Sequence, residues 1–175
     1  MNRTASQKRT IWKLFTIVCT VFATIFVWGS DQPGVRVEPA DSVGPRALEK
    51  QTETAVIRDY LQAWRSLSGA LEQNREDLLR ADFVGTAKEK LANTVREQAK
   101  LGMQTRYRDG AHDIQIVFYS PEGLSIQLVD TVEYDVQILD HEKIQATQHV
   151  RARYVAVLTP TEVQWKVRVF QAEPE

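Results

Sequence analysis

LSIQLVDTVEYDVQI, residues 124–138, alternates apolar and polar side chains through almost its whole length. Leu124, Ile126, Leu128, Val132, Tyr134, Val136 and Ile138 share one phase; Ser125, Gln127, Thr131, Glu133, Asp135 and Gln137 share the other. Successive side chains of a strand point to opposite faces, so this stretch predicts a long strand with one dry and one wet face. The same period resumes after Asp140–Lys143, where Ile144, Ala146, Val150, Ala152, Tyr154, Ala156 and Leu158 alternate with polar residues. Upstream, Ile114, Ile116 and Phe118 alternate with Gln115, Val117 and Tyr119, and Ser120–Gly123 makes the turn. Downstream of Thr159–Thr161 come Val163, Trp165, Val167 and Val169. Two-faced strands joined by short turns predict a meander of four antiparallel strands.

Ahead of these strands the period is helical. Ile57, Tyr60, Leu61, Trp64, Leu67 and Leu71 form one apolar stripe over residues 48–71, with Arg58, Asp59, Gln62 and Arg65 off it. Asn74 is placed to cap a short second helix carrying Leu78, Leu79 and Phe83. Thr86 with Glu89 three residues on predicts a capping box for a third helix, closed by Leu101-Gly102. Its inner face takes Ala87, Leu91, Val95 and Ala99. The fold class is therefore α+β: three helices packed on a curved four-stranded antiparallel sheet.

The N-terminus reads differently. IWKLFTIVCTVFATIFVW, residues 11–28, carries one charge, Lys13, and has Trp12 and Trp28 at its ends. Eighteen residues of helix extend about 27 Å, close to the hydrocarbon thickness of a bilayer, and indole rings favour the interface. A cleaved leader has a shorter apolar run and small residues at its processing site, whereas Val27-Trp28-Gly29 is bulky. Arg3, Lys8, Arg9 and Lys13 make residues 1–13 +4, while the remaining 18 Lys/Arg from Asp31 onward face all 23 Asp/Glu, or −5. Basic residues stay in the cytoplasm, so the chain is expected to span the inner membrane with its C-terminal domain in periplasm or extracellular space. The organisation is a basic tail (1–10), a transmembrane anchor (11–29), a flexible linker rich in proline and glycine (30–47), an α+β domain (48–172) and a short tail (173–175). A mildly acidic outer domain has no concentrated basic face to hold nucleic acid. Cys19, the single cysteine, lies within the apolar run, so no intramolecular disulfide forms.

The element order, YLQAW at 60–64, FVGTAKEKL at 83–91 and a last strand containing Trp165 together resemble the NTF2-like (cystatin-like α+β) superfamily over residues 48–172. That resemblance implies a cone in which the sheet wraps the first helix. Its members range from ligand pockets and small isomerases or dehydratases to membrane-tethered assembly subunits of bacterial envelopes, among them type IV secretion and Mce-associated proteins.

Few residues stand out as chemistry. Asp130 and Gln148 break the alternation by falling in the apolar phase. A buried carboxylate is costly unless partnered, and two placements are open. Asp130 faces Tyr60 or Trp64 inside the cone, as in the pockets of the family's isomerases, or it marks a bulge and turns to solvent. Strand length favours the bulge, with Gln148 as the matching irregularity. His112, His141 and His149 have no metal-ligand spacing, and His112 is read as solvated or capping because adjacent Asp113 points to the opposite face. Arg151, Arg153, Lys166 and Arg168 make a basic sheet region, a docking surface if strand pairing brings them together. No phosphate loop, nucleophile elbow, metal set or cofactor motif is present in the sequence.

These features point to a non-catalytic, membrane-tethered interaction or assembly domain of an envelope complex, partnered by the bilayer through 11–29 and by envelope proteins or a second copy. The alternative is a protein that binds a small apolar ligand, with Tyr60, Trp64, Asp130 and Gln148 lining its pocket, and that is isomerase-like in the further case.

Overall fold

A computed structural model describes residues 34–38 and 46–173, the side chain of residue 109 excepted. The basic tail, the apolar run 11–29 and most of the linker lie outside the described residues. Among those described, no helix is long and apolar enough to cross a membrane.

In chain order the elements are β1 (Val35–Glu38), α1 (Lys50–Gln73), a 3₁₀ turn (Glu76–Arg80), α2 (Gly85–Lys100), β2 (Met103–Tyr119), β3 (Ile126–Asp140), β4 (Lys143–Pro160) and β5 (Trp165–Ala172). Two helices and a 3₁₀ turn thus replace the three helices expected. The sheet has five strands in the order β1-β2-β3-β4-β5 and is mixed, because β1 runs parallel to β2. Its extra strand, Val-Arg-Val-Glu, sits in the stretch read as linker; four residues bounded by glycine and proline are too few to show a period.

The apolar stripe of α1 buries Val56, Tyr60, Ala63, Trp64, Leu67 and Leu71 against the inner sheet face. Asp59, expected on the solvent side, is buried as well: its Oδ2 accepts the Trp165 backbone N–H at 2.8 Å and ties α1 to β5. Asn74 does not open a second helix but ends α1 in the left-handed conformation (φ 54°), which asparagine tolerates. Its Nδ2 donates to the Met103 carbonyl at 2.9 Å and its Oδ1 accepts from buried Gln98 of α2 at 2.7 Å. No capping box forms at α2; the Thr86 hydroxyl donates instead to the Arg168 carbonyl.

Two register shifts explain the phases of β2. One lies between Arg108 and Ala111, the other between Ile116 and Phe118. Each flips the strand, so Tyr107, then His112, Ile114 and Ile116, then Tyr119 all face inward. Gly110 sits at the first shift, where a Cβ would stand 3.2 Å from the Glu133 carbonyl. At the second, Tyr119 becomes buried and Phe118 exposed, the reverse of the simple alternation.

Candidate functional site

Tyr60 and Trp64 stand one turn apart on α1, so both rings reach the inner sheet face. Asp130 and Tyr134 share that face of β3. The ladder sets Ile114 of β2 and Tyr154 of β4 directly opposite Asp130, which makes His112, two residues before Ile114, its diagonal neighbour.

Asp130 is in register, not at a bulge, and is 0% exposed. The bend expected there is made by β2 instead. Tyr60 Oη donates to Asp130 Oδ2 at 2.9 Å, and His112 Nδ1 lies 2.7 Å from the same oxygen. An ionised carboxylate only accepts, so with Asp130 ionised Nδ1 carries the proton. Asp130 Oδ1 is buried without a hydrogen-bond partner. Above this centre, Trp64 meets five rings with centroids 5.2–6.2 Å away: Tyr107, His112, Tyr134, Tyr154 and Phe170. The hydroxyls of Tyr134 and Tyr154 bond to each other at 2.8 Å. The Trp64 indole N–H favours the Tyr60 oxygen but falls short of a full hydrogen bond.

Burial, then the charge of Asp130, raises the Tyr60 hydroxyl well above an ordinary phenol. Burial, with Tyr154 adding to it, does the same for Tyr107 and Tyr134, and burial raises Tyr154 too. The site therefore holds four neutral hydroxyl groups around one aspartate–histidine pair. An imidazole oriented by a carboxylate through Nδ1 has the geometry of a general base, with Tyr60 as a neutral donor. Base chemistry also needs a substrate within reach. The His112 side chain is 12% exposed, and the Trp64 ring packs against it in an edge-to-face arrangement with centroids 5.5 Å apart.

Of the residues singled out in the sequence, Tyr60, Trp64 and Asp130 converge. Gln148 does not join them: it is half-buried opposite Val136, six positions before Tyr154 and so about 20 Å along β4. His112, taken as solvated, belongs to the centre. Its signal was its phase: His112 alternates in step with Ile114 and Ile116 and so shares the face that Asp130 looks across. The basic residues do not merge into one patch. Arg151 pairs with Glu133 at 3.3 Å and Arg153 with Glu173 at 2.9 Å. Lys166, at the other end of β5, donates to the Arg80 carbonyl, and Arg168 stays exposed.

A second feature lies beside α1. Val37 of β1 and Ile57 and Leu61 of α1 line an open groove of about 470 Å³, together with Lys50, Arg58 and Arg65. Among the described residues no group of three or more His, Cys, Asp or Glu is arranged to hold a metal ion.

The architecture has counterparts among solved structures. The intermembrane space region of the chloroplast protein ARC6 superposes with a TM-score of 0.59 at 15% identity, over 74% of this chain and all of that one. A putative scytalone dehydratase from Novosphingobium aromaticivorans gives 0.52 at 16% identity, over 73% and 89% of the two chains. Aln2 from Streptomyces gives 0.50 at 13%, over 74% and 94%. The fold is NTF2-like. Identities this low speak for the fold alone, and the three proteins differ in what their names describe. No protein-family model and no curated protein matches the sequence.

Proposed function

We propose that this chain is a membrane-tethered, non-catalytic interaction domain of a bacterial envelope complex, with its N-terminus in the cytoplasm and the α+β domain on the far side of the inner membrane. The observation that carries the reading is Trp64. In an NTF2-like cone a small ligand would lie between α1 and the inner sheet face, and here an indole ringed by five aromatic groups fills that space at 8% exposure. What the domain offers a partner is then its outside. The apolar run 11–29 and the basic tail supply the tether. The fold of the intermembrane space region of ARC6, which this domain shares, is consistent with a place beside a membrane.

Chemical crosslinking of the tagged full-length chain in its membrane, followed by purification and mass spectrometry, tests this. A reproducible set of envelope proteins is the expected result. Recovery of the chain alone would sink the reading.

One observation favours a second reading, a pocket protein: the partnerless Oδ1 of Asp130 beside His112. A ligand donor would satisfy it if Trp64 swung aside. Binding of a small hydroxylated aromatic compound, abolished by Asp130→Asn in a folded chain, would establish that reading instead.

A further inference from the structure

The apolar stripe of α1 is wider than the sheet that covers it. Val56, Tyr60, Ala63 and Trp64 are buried, but Ile57 and Leu61 on the same stripe stay half-buried and line the groove. Across from them is β1. Val35 and Val37 are paired in register with His112 and Ile114, whose side chains face inward, and are themselves 50% and 36% exposed. Beyond β1 the sheet has no further strand among the described residues, so one row of its backbone N–H and C=O groups faces outward. The opposite edge differs: Val84 N–H donates to the Val167 carbonyl and Val167 N–H to that of Asp82, so a strap covers β5. The fold closes one edge and leaves the other beside an apolar groove.

The charges of the groove run against those of the domain. Residues from Asp31 onward carry 18 Lys/Arg against 23 Asp/Glu, yet the groove is lined by exposed Lys50, Arg58 and Arg65 with Glu53 as its one lining carboxylate. Arg58 is already paired with Asp59 at 2.9 Å, which leaves Lys50 and Arg65 to face an incoming chain. Lys50 and Arg65 stand fifteen residues apart on α1, about 22 Å. An extended strand of six or seven residues, at roughly 3.3 Å each, is that long.

We propose that the α1–β1 groove takes an extended segment of a partner protein, which adds to β1 as a further strand, sets alternate apolar side chains on Ile57 and Leu61, and carries acidic residues matched to Lys50 and Arg65. Open backbone groups on β1 call for a strand, because a helix satisfies its own. The apolar floor calls for side chains as well as charge, which a bare anion does not supply. Such a partner presupposes the interaction role proposed above.

The probe is a capped, fluorescent peptide alternating valine and glutamate, long enough to span the groove. It is titrated by anisotropy against the full-length chain in detergent micelles. Saturable binding is expected, weakened roughly tenfold or more by Leu61→Glu and by the pair Lys50→Glu with Arg65→Glu, a loss of the size that one or two interface contacts carry. Arg151→Glu with Arg153→Glu, on the outer sheet face, leaves it unchanged and matches the charge change of the groove pair; circular dichroism confirms that every variant is folded. N-methylation of alternate peptide amides, which blocks strand pairing, abolishes binding on one of the two registers. Several results overturn the proposal. They are no binding of the probe; equal binding when lysine replaces glutamate; indifference to N-methylation on both registers; self-association of the chain, lost with Leu61→Glu, as the only effect; or retention on anionic vesicles, lost with Lys50→Glu but kept with Leu61→Glu. If crosslinking in the membrane still captures neighbours from the Leu61→Glu chain while the peptide fails, the groove is wrong and the interaction role stands. Capture of nothing by the unaltered chain removes that role itself.

Discussion

Asp130 has no exposed surface and two donors, Tyr60 and His112, both directed at the same oxygen. A buried carboxylate held this way is stabilised by its partners and exacting towards them, since removing either leaves polar atoms without water or protein to bond. Tyr60→Phe is expected to lower stability by about 1–2 kcal/mol, and Asp130→Ala by about 3 kcal/mol, because it strands both donors in the core. Combined, the two changes should cost less than the sum of each alone, the mark of a direct bond. Urea unfolding of the full-length chain, followed by tryptophan fluorescence, reads all three values; strict additivity would mean that the hydroxyl and the carboxylate do not bond in solution. The centre was half legible. An aspartate in the apolar phase of residues 124–138 stood out, and Tyr60 lay on the helix stripe that would face it, but strand length favoured a bulge turned to solvent over the burial that the structure shows. His112 was legible too, since it shares the phase of Ile114 and Ile116, but weighing it against adjacent Asp113 and not against Asp130 obscured it.

Alternation located β3 and β4 within a few residues, and the helical stripe located α1, since both patterns record which face is dry. Elements that answer to other forces left weaker traces. β2 extends back to Met103, eleven residues before the alternation becomes readable at Ile114, because the shift at Gly110 breaks its phase. β1 exists through backbone pairing to β2, and pairing writes nothing into four residues. The β3–β4 hairpin shows the same division. Its position was plain, but its geometry was not: His141 and Glu142 both have positive φ, 47° and 65°. Two such residues make the turn that suits the twist of a hairpin, yet neither side chain is at ease there. His141→Asn with Glu142→Gly is expected to raise stability by about 1–2 kcal/mol, as relief of left-handed strain. A thermal melt compared with the unaltered chain measures it, and an unchanged or lower midpoint would show that the strain is absorbed elsewhere.

At the scale of the molecule, a filled cone and a wet pocket differ in how they meet alkali. Tyr60, Tyr107, Tyr134 and Tyr154 all have hydroxyls raised above the ordinary phenol value, by burial first in every case. A group whose folded pKa exceeds its unfolded one stabilises the fold through its protonated form. That contribution is complete below the unfolded value, about 10 for tyrosine, and is lost as pH rises above it towards the folded value. Stability is therefore expected to show no tyrosine-dependent loss up to about pH 10 and to fall steeply beyond, since four coupled hydroxyls must ionise together with the opening of the core. Phenolate absorbance from these residues should appear in step with the loss of far-ultraviolet dichroism. Replacing Tyr107 by Phe should make the fall shallower, because one titrating group is gone. Water inside the cone would give another picture: the four hydroxyls would ionise near the ordinary value while the backbone stayed folded. Trp64 would then be a movable gate, and Asp130 and His112 would face a ligand after all. The same titration thus weighs a packed core that presents only its surface against a chamber that opens, and it does so without knowing the partner or the ligand.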